Sequence, residues 1–136
     1  MQKSLWFVML IFCCMNGRAM AAEWVPIKQG EDTVREVDQG SIMRIGTMVS
    51  FTSRYTFGSL TEYQVGRRGA KYLQITSRVN CKKHTIAKLA TEAYDENMAL
   101  ISKQSIQQAQ DAAVAAGSID ELMLGYVCAA GKPPLR

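Results

Sequence analysis

The sequence predicts an α+β fold: an antiparallel β-sheet meander with a C-terminal α-helix packed on one face and joined to it by a disulfide. Two stretches alternate apolar and polar residues. Val49, Phe51, Tyr55 and Phe57 share one parity, and so do Leu73, Ile75, Val79 and Cys81. Period two marks a strand with one buried and one wet face. A later stretch changes period. Ser118 and Glu121 have capping-box spacing, and Ile119, Leu122, Met123 and Tyr126 recur at i, i+3, i+4 and i+7 to give one apolar helical stripe. Strands first and a helix last place that helix on a face of the sheet.

The N-terminus has the three parts of a secretory signal peptide. Lys3 gives a positive start, 5–14 (LWFVMLIFCC) is an apolar run of 10 residues, and Ala19-Met20-Ala21 is a small-x-small cleavage site. The run is too short to cross a bilayer as a helix, which needs about 20 residues. The domain expectation is a signal peptide over 1–21, cleaved after Ala21, a single domain over 22–130 and a flexible tail over 131–136, with no transmembrane segment after cleavage. Of the 136 residues, 21 leave and 115 remain, enough for one modest core. Lys3 and Arg18 leave too, so 14 of the 16 Lys and Arg face 12 Asp and Glu, and the charge falls from +4 to +2. A nucleic-acid binder needs a concentrated basic face, and none remains.

Cys13 and Cys14 lie in the signal run, and Phe12 before Cys13 does not suit a lipid-anchor site. That leaves Cys81 and Cys128, an even pair in an exported chain and therefore a disulfide. It closes a loop of 47 residues (128 less 81), worth about 4 kcal/mol by chain entropy. Since Cys81 shares the apolar parity of its strand, the bond is expected to cross the core.

The elements follow in order. Trp24 and Pro26 suit an edge or a strand start. A polar turn over 29–32 (QGED) leads to a short strand over 33–38 (TVREVD), broken by Gln39-Gly40-Ser41. Apolar residues over 42–45 run into Gly46. Met48 breaks the alternation on the wet side and Ser77 on the buried side. Residues 65–70 (VGRRGA) read as an exposed loop. Residues 85–94 (TIAKLATEAY) suit a helix, through Ile86, Leu89 and Ala93, or a strand. Residues 98–101 (MALI) have strand length. Ser105 and Gln108 make a second capping-box spacing, and 106–116 (IQQAQDAAVAA) has high helix propensity, so a helix is expected there, ended by Gly117.

Catalytic constellations are missing. His84, the sole histidine, stands beside Lys82 and Lys83, reads as a solvated strand residue and lacks the partners of a nucleophilic triad. One histidine and a disulfide pair cannot make a zinc site. Glu31-Asp32 and Asp95-Glu96-Asn97 lack calcium-loop spacing. Asp120 and Glu121 sit in a first helical turn, where the helix dipole favours carboxylates. The reading is a non-enzymatic protein without cofactor or metal. The recognition candidates are exposed: Arg67, Arg68, Lys71, Tyr72, Lys82 and Lys83, with Tyr63 nearby; Arg and Tyr are enriched at interface hot spots. The polar face opposite the helix is where a partner is expected.

A further pattern runs through the chain. Trp24 is followed by Val37-Asp38, Ser41-Ile42 and Arg44-Ile45-Gly46, then by a strand into Cys81, by Tyr94, and by Gly117-Ser118 before an apolar helix ending at Cys128. These residues resemble the surface-adhesin protein E family of small exported bacterial envelope proteins. The resemblance implies an antiparallel sheet with a C-terminal helix stapled through Cys81 and Cys128, makes 85–94 a strand, and places the protein in the periplasm, at the cell surface or outside the cell. The family's founding member is a lipid-anchored adhesin that binds host extracellular-matrix and plasma proteins. This sequence departs from it in lacking a lipid-attachment motif, and in carrying Ala115-Ala116 where the family usually has a proline before the helix. The implied function is an adhesin-like binding protein with a host or envelope protein as partner. A periplasmic inhibitor of a hydrolase such as lysozyme, and a structural or secretion-accessory envelope component, are the alternatives.

Overall fold

The computed structural model describes residues 21–29 and 33–130. The expected signal peptide, apart from Ala21, the expected tail and most of the 29–32 turn lie outside those residues. The described strands are β1 (Trp24–Gln29), β2 (Thr33–Asp38), β3 (Met43–Ile45), β4 (Met48–Phe57), β5 (Gln64–Val65), β6 (Arg68–Gly69), β7 (Tyr72–Asn80), β8 (Thr85–Tyr94), β9 (Leu100–Ser105) and β10 (Ala112–Ala113). The helix is α1 (Ile119–Ala130). Eight strands form one sheet in the order β1-β2-β4-β7-β8-β10, with β3 added to β4 and β9 to β8; β5 and β6 make a separate small hairpin. Every pairing is antiparallel.

The predicted alternation sets the two faces. Val49 pairs with Val79, Phe51 with Ser77 and Ser53 with Ile75. Side chains of paired residues share a face. Val49, Phe51 and Val79, with Val37 and Ile86, meet Met123, Leu124 and Val127 of α1 in the core. The buried Ser77 faces the bulky Phe51 across the strands, so a small polar residue occupies the narrow place beside a large ring.

The helix starts as its capping box predicts. Ser118 Oγ accepts from Glu121 N–H (3.2 Å), and Glu121 reaches back to accept from Gly117 N–H (2.6 Å). Gly117 has φ +76°, so it turns the chain into α1 and does not close an earlier helix. The buried stripe differs from the predicted one: Leu124 is buried and Leu122 is exposed. At 3.6 residues per turn, Leu122 lies about 140° round from Val127. Cys128 must face Cys81, and this sets the roll of the helix and puts Leu124, four residues earlier, on the inner side.

No helix forms over 106–116. Ser105 ends β9 opposite Ala90, Ile106 N–H donates to Leu89 O (2.8 Å), and Ala112 and Ala113 pair with Ile86 and Thr85. Backbone pairing along the edge of β8 outweighs helix propensity, which differs between residues by less than about 1 kcal/mol. Residues 85–94 form β8. The second apolar run starts its strand later than expected, at Leu100; Met98 is in the turn at φ +62°. His84 also belongs to a turn, at φ +53°, and not to a strand.

The disulfide joins Cys81 and Cys128, whose Cα atoms are 5.8 Å apart. It borders the core and does not cross it, because Cys81 lies one residue past the end of β7 and Cys128 lies near the end of α1. Arg44 completes this clasp. Its Nη2 donates to the helix-terminal carbonyl of Cys128 (2.8 Å) and its Nη1 to Gly46 O (3.1 Å). The last turn of α1 has no basic residue, so a cation brought from β3 satisfies its terminal carbonyl and opposes the helix dipole.

Cys128→Ser is expected to lower unfolding stability by about 2–5 kcal/mol in urea titration. Arg44→Met should cost about 1–2 kcal/mol while leaving the disulfide formed. Thiol titration of the folded wild-type domain should find neither Cys81 nor Cys128 free.

Candidate binding face

The sheet face turned away from α1 has its own order. Even-numbered residues of β4 point outward, and the register aligns Glu36, Arg54, Gln74, Glu92 and Lys103 in one row across β2, β4, β7, β8 and β9. Oppositely charged neighbours in such a row stabilise the pairing. Arg54 donates through Nε and Nη2 to the same Glu36 oxygen, at 2.9 and 2.8 Å. Its guanidinium lies 4.2 Å from the Trp24 ring centre and 5.4 Å from that of Tyr72. Both ion-pair side chains keep only 16–17% of their surface exposed, although they stand on an open face. The aromatic rings shield them, and a guanidinium over aromatic faces gains further by cation–π attraction.

Glu92 anchors the other end. It accepts from Lys103 Nζ (2.6 Å) and from Tyr94 Oη (2.6 Å). The Lys103 hydrogen bond, then that of Tyr94, hold its carboxyl below the ordinary value of 4.5. Burial, then the Glu92 hydrogen bond, push the Tyr94 phenol up to about 12. Tyr94 stands opposite Tyr72 in the register, so the two rings extend the aromatic surface from β1 to β8.

The residues picked out by sequence divide between the two ends of the sheet. Arg67 and Arg68 lie at the β5–β6 hairpin, and Arg68 contacts Asp95 at 3.4 Å. Lys71 is tied down, its Nζ donating to Phe57 O (2.6 Å). Tyr72 belongs to the aromatic face. Lys82 and Lys83 sit beyond the far end of β7, where their backbone N–H groups donate to Asn80 Oδ1. Nine residues of β7 place roughly 27 Å between the two groups. Tyr63 stacks on Phe57, with centroids 5.6 Å apart. Phe57 follows Tyr55 by two residues and so belongs to the helix-side face.

Trp24, Arg54, Glu92 and Tyr94 were not singled out as site residues. The alternation already put Arg54 on the wet face, but its row depends on the register of five strands. Among the described residues, no three of His, Cys, Asp and Glu converge as a metal site, and no helix is long and apolar enough to cross a membrane.

The family model for surface-adhesin protein E matches residues 24–129. The chain belongs to this family. Among solved structures, crystal form II of Haemophilus influenzae protein E superposes with a TM-score of 0.56 at 15% identity, covering 80% of this chain and 96% of that one. Protein E from non-typeable Haemophilus influenzae gives 0.56 at 17%, covering 76% and 75%. At such identities the likeness is one of fold. No curated protein matches the chain.

The residues that carry the family resemblance mostly serve the fold. Asp38 Oδ1 accepts from Glu23 and Gly40 N–H, at 3.0 and 3.1 Å. Ser41 Oγ donates to Asp38 O and accepts from Thr52 N–H, at 2.7 and 2.8 Å. Ile42 packs on the core, Arg44 holds the end of α1, and Gly46 turns between β3 and β4 at φ +62°. Together they bend the chain from β2 into β3 and fasten it to the helix.

Because the Glu92 carboxyl is depressed, its contribution to stability is present above about pH 4.5 and is lost as pH falls below that value. Glu92→Gln should therefore flatten the acid limb of the stability profile, measured by urea titration between pH 3 and 7. Ultraviolet titration should find Tyr94 ionising near 12. Glu92→Gln should bring it only part of the way down, burial being the larger cause.

Proposed function

We propose that this protein is an exported, non-enzymatic, adhesin-like envelope protein that binds a protein partner, of host or envelope origin, through the sheet face opposite α1. The observation that carries this reading is Arg54 held between Trp24 and Tyr72 on an open face. Trp, Tyr and Arg dominate interface hot spots, and a side chain already fixed by an ion pair loses little freedom on binding. Family membership supports an adhesin-like role. The predicted signal peptide over 1–21 and a fold fastened by a disulfide support export. Arg67 and Arg68, at the same end of the sheet as Tyr72, form the rim of this face; Lys82 and Lys83, at the other end, do not take part.

The test is binding of the purified domain to immobilised host extracellular-matrix and plasma proteins. Arg54→Ala with Tyr72→Ala should weaken binding about tenfold or more, while Lys82→Ala with Lys83→Ala changes it little. The reverse order would move the binding face to the β7–β8 turn. The exported form should begin at Ala22, and protease treatment of intact cells should remove it; protection from protease would count against a surface role.

A further inference from the structure

The helix side of the sheet holds a second feature, unrelated to the face just described. A cavity of about 280 Å³ opens beside the start of α1, lined by Lys28, Thr33, Arg35, Tyr55 and Ile119. Arg35 is 4% exposed, and among the described residues its buried Nε and Nη1 find no hydrogen-bond partner. Its guanidinium stacks 3.4 Å from the centre of the Tyr55 ring. The ring covers one face of the guanidinium, but it does not replace the in-plane acceptors that five N–H donors require. Unpaired buried donors are rare in folded proteins, and this arginine would gain from an acceptor placed at the cavity.

The surroundings define that acceptor. Arg35 and Lys28 bring two positive charges. Asp120, in the first turn of α1, interacts with Arg35 and sets one negative charge against them. One net positive charge suits a monoanion and disfavours a dianion such as a phosphate monoester. Tyr55 and Ile119 supply apolar wall beside the cation, and Thr33 supplies a hydroxyl. Burial, opposed by Asp120, pulls the arginine down to about 10, so it remains cationic at neutral pH. The volume lies just under the range of ordinary ligand pockets, of about 300–1,000 Å³, so the occupant is small.

We propose that this cavity is a binding site for a carboxylate borne on a small apolar group, with Arg35 as its cationic partner, Lys28 at its rim and Tyr55 and Ile119 against the apolar part. Such a group can be a free small acid or the C-terminal residue of a peptide. A guanidinium makes charge-assisted hydrogen bonds to a carboxylate and is more weakly hydrated than an ammonium, so it is the better partner at a buried wall.

The test is calorimetric and NMR titration of the folded domain with phenylacetate, with the tripeptide Ala-Ala-Leu and its C-terminal amide, and with inorganic phosphate. Saturable binding of phenylacetate with perturbed Tyr55 resonances is expected. Binding of the free-acid tripeptide as well would extend the site to peptide termini, and its absence would restrict the site to small acids. The amide should not bind. Lys28→Met, at an exposed position that leaves the fold intact, should weaken phenylacetate roughly two- to fivefold. Arg35→Met should weaken it by about tenfold or more. Asp120→Asn removes the opposing charge and should strengthen it, a gain that a merely structural arginine would not produce. No saturation by either free acid, equal binding of acid and amide, or tighter binding of phosphate than of phenylacetate would overturn the proposal.

Discussion

Among the described residues one α-helix, of twelve residues, has to cover one face of an eight-stranded sheet, and the structure depends on how that helix is held. Met123, Leu124 and Val127 bring apolar surface to Val37, Val49, Phe51, Val79 and Ile86. Each such side chain contributes about 1.5–3 kcal/mol when fully buried. Three side chains set against the ordering of twelve residues leave little margin. The clasp at Cys128 changes this balance: the disulfide limits the unfolded chain, and Arg44 satisfies a terminal carbonyl from another element. The capping box at Ser118 does the same at the opposite end, so both ends of α1 are fixed and the roll of the helix follows.

Fixing that roll has effects on both faces. On the helix side it brings Asp120 and Ile119 to Arg35 and Tyr55, at the open end that α1 does not cover. On the other side the helix is absent, and bulk comes from Trp24, Tyr72 and Tyr94. Their rings shield charges that would otherwise stand in water, and this is why the Arg54–Glu36 pair is nearly covered on an open surface. The two faces therefore handle arginine differently. Arg54 has its carboxylate within 3 Å. Arg35 has an aromatic ring and a distant carboxylate.

Much of this was legible in the sequence because one-sided burial writes itself as alternation. Residues 48–57 and 72–80 were readable for that reason, and the pairing of Cys81 with Cys128 followed from simple counting within an exported chain. What was not legible depends on contacts remote in sequence. The helical propensity of 106–116 is local, whereas the pairing that overrides it comes from β8. Leu122 fitted the stripe on spacing alone, yet the position of Cys128 decided which side of α1 was inner. The outer row of Glu36, Arg54, Gln74, Glu92 and Lys103 depends on four registers between five strands, none of which a single strand can specify. Nothing in the short strand 33–38 distinguishes Arg35, whose burial involves Tyr55 on a different strand.

The open margins of the sheet carry one more consequence. At one margin, β1 includes Pro26, which has no N–H to donate, and a bulge between Pro26 and Lys28. At the other, β9 and β10 cover β8 in two short pieces with five unpaired residues between Ile106 and Ala112. Neither margin offers a long, regular row of backbone donors and acceptors to another molecule. A sheet this wide is thereby discouraged from adding strands edge to edge into fibres. Its contacts are left to side chains, which can be selective, and not to backbone, which cannot.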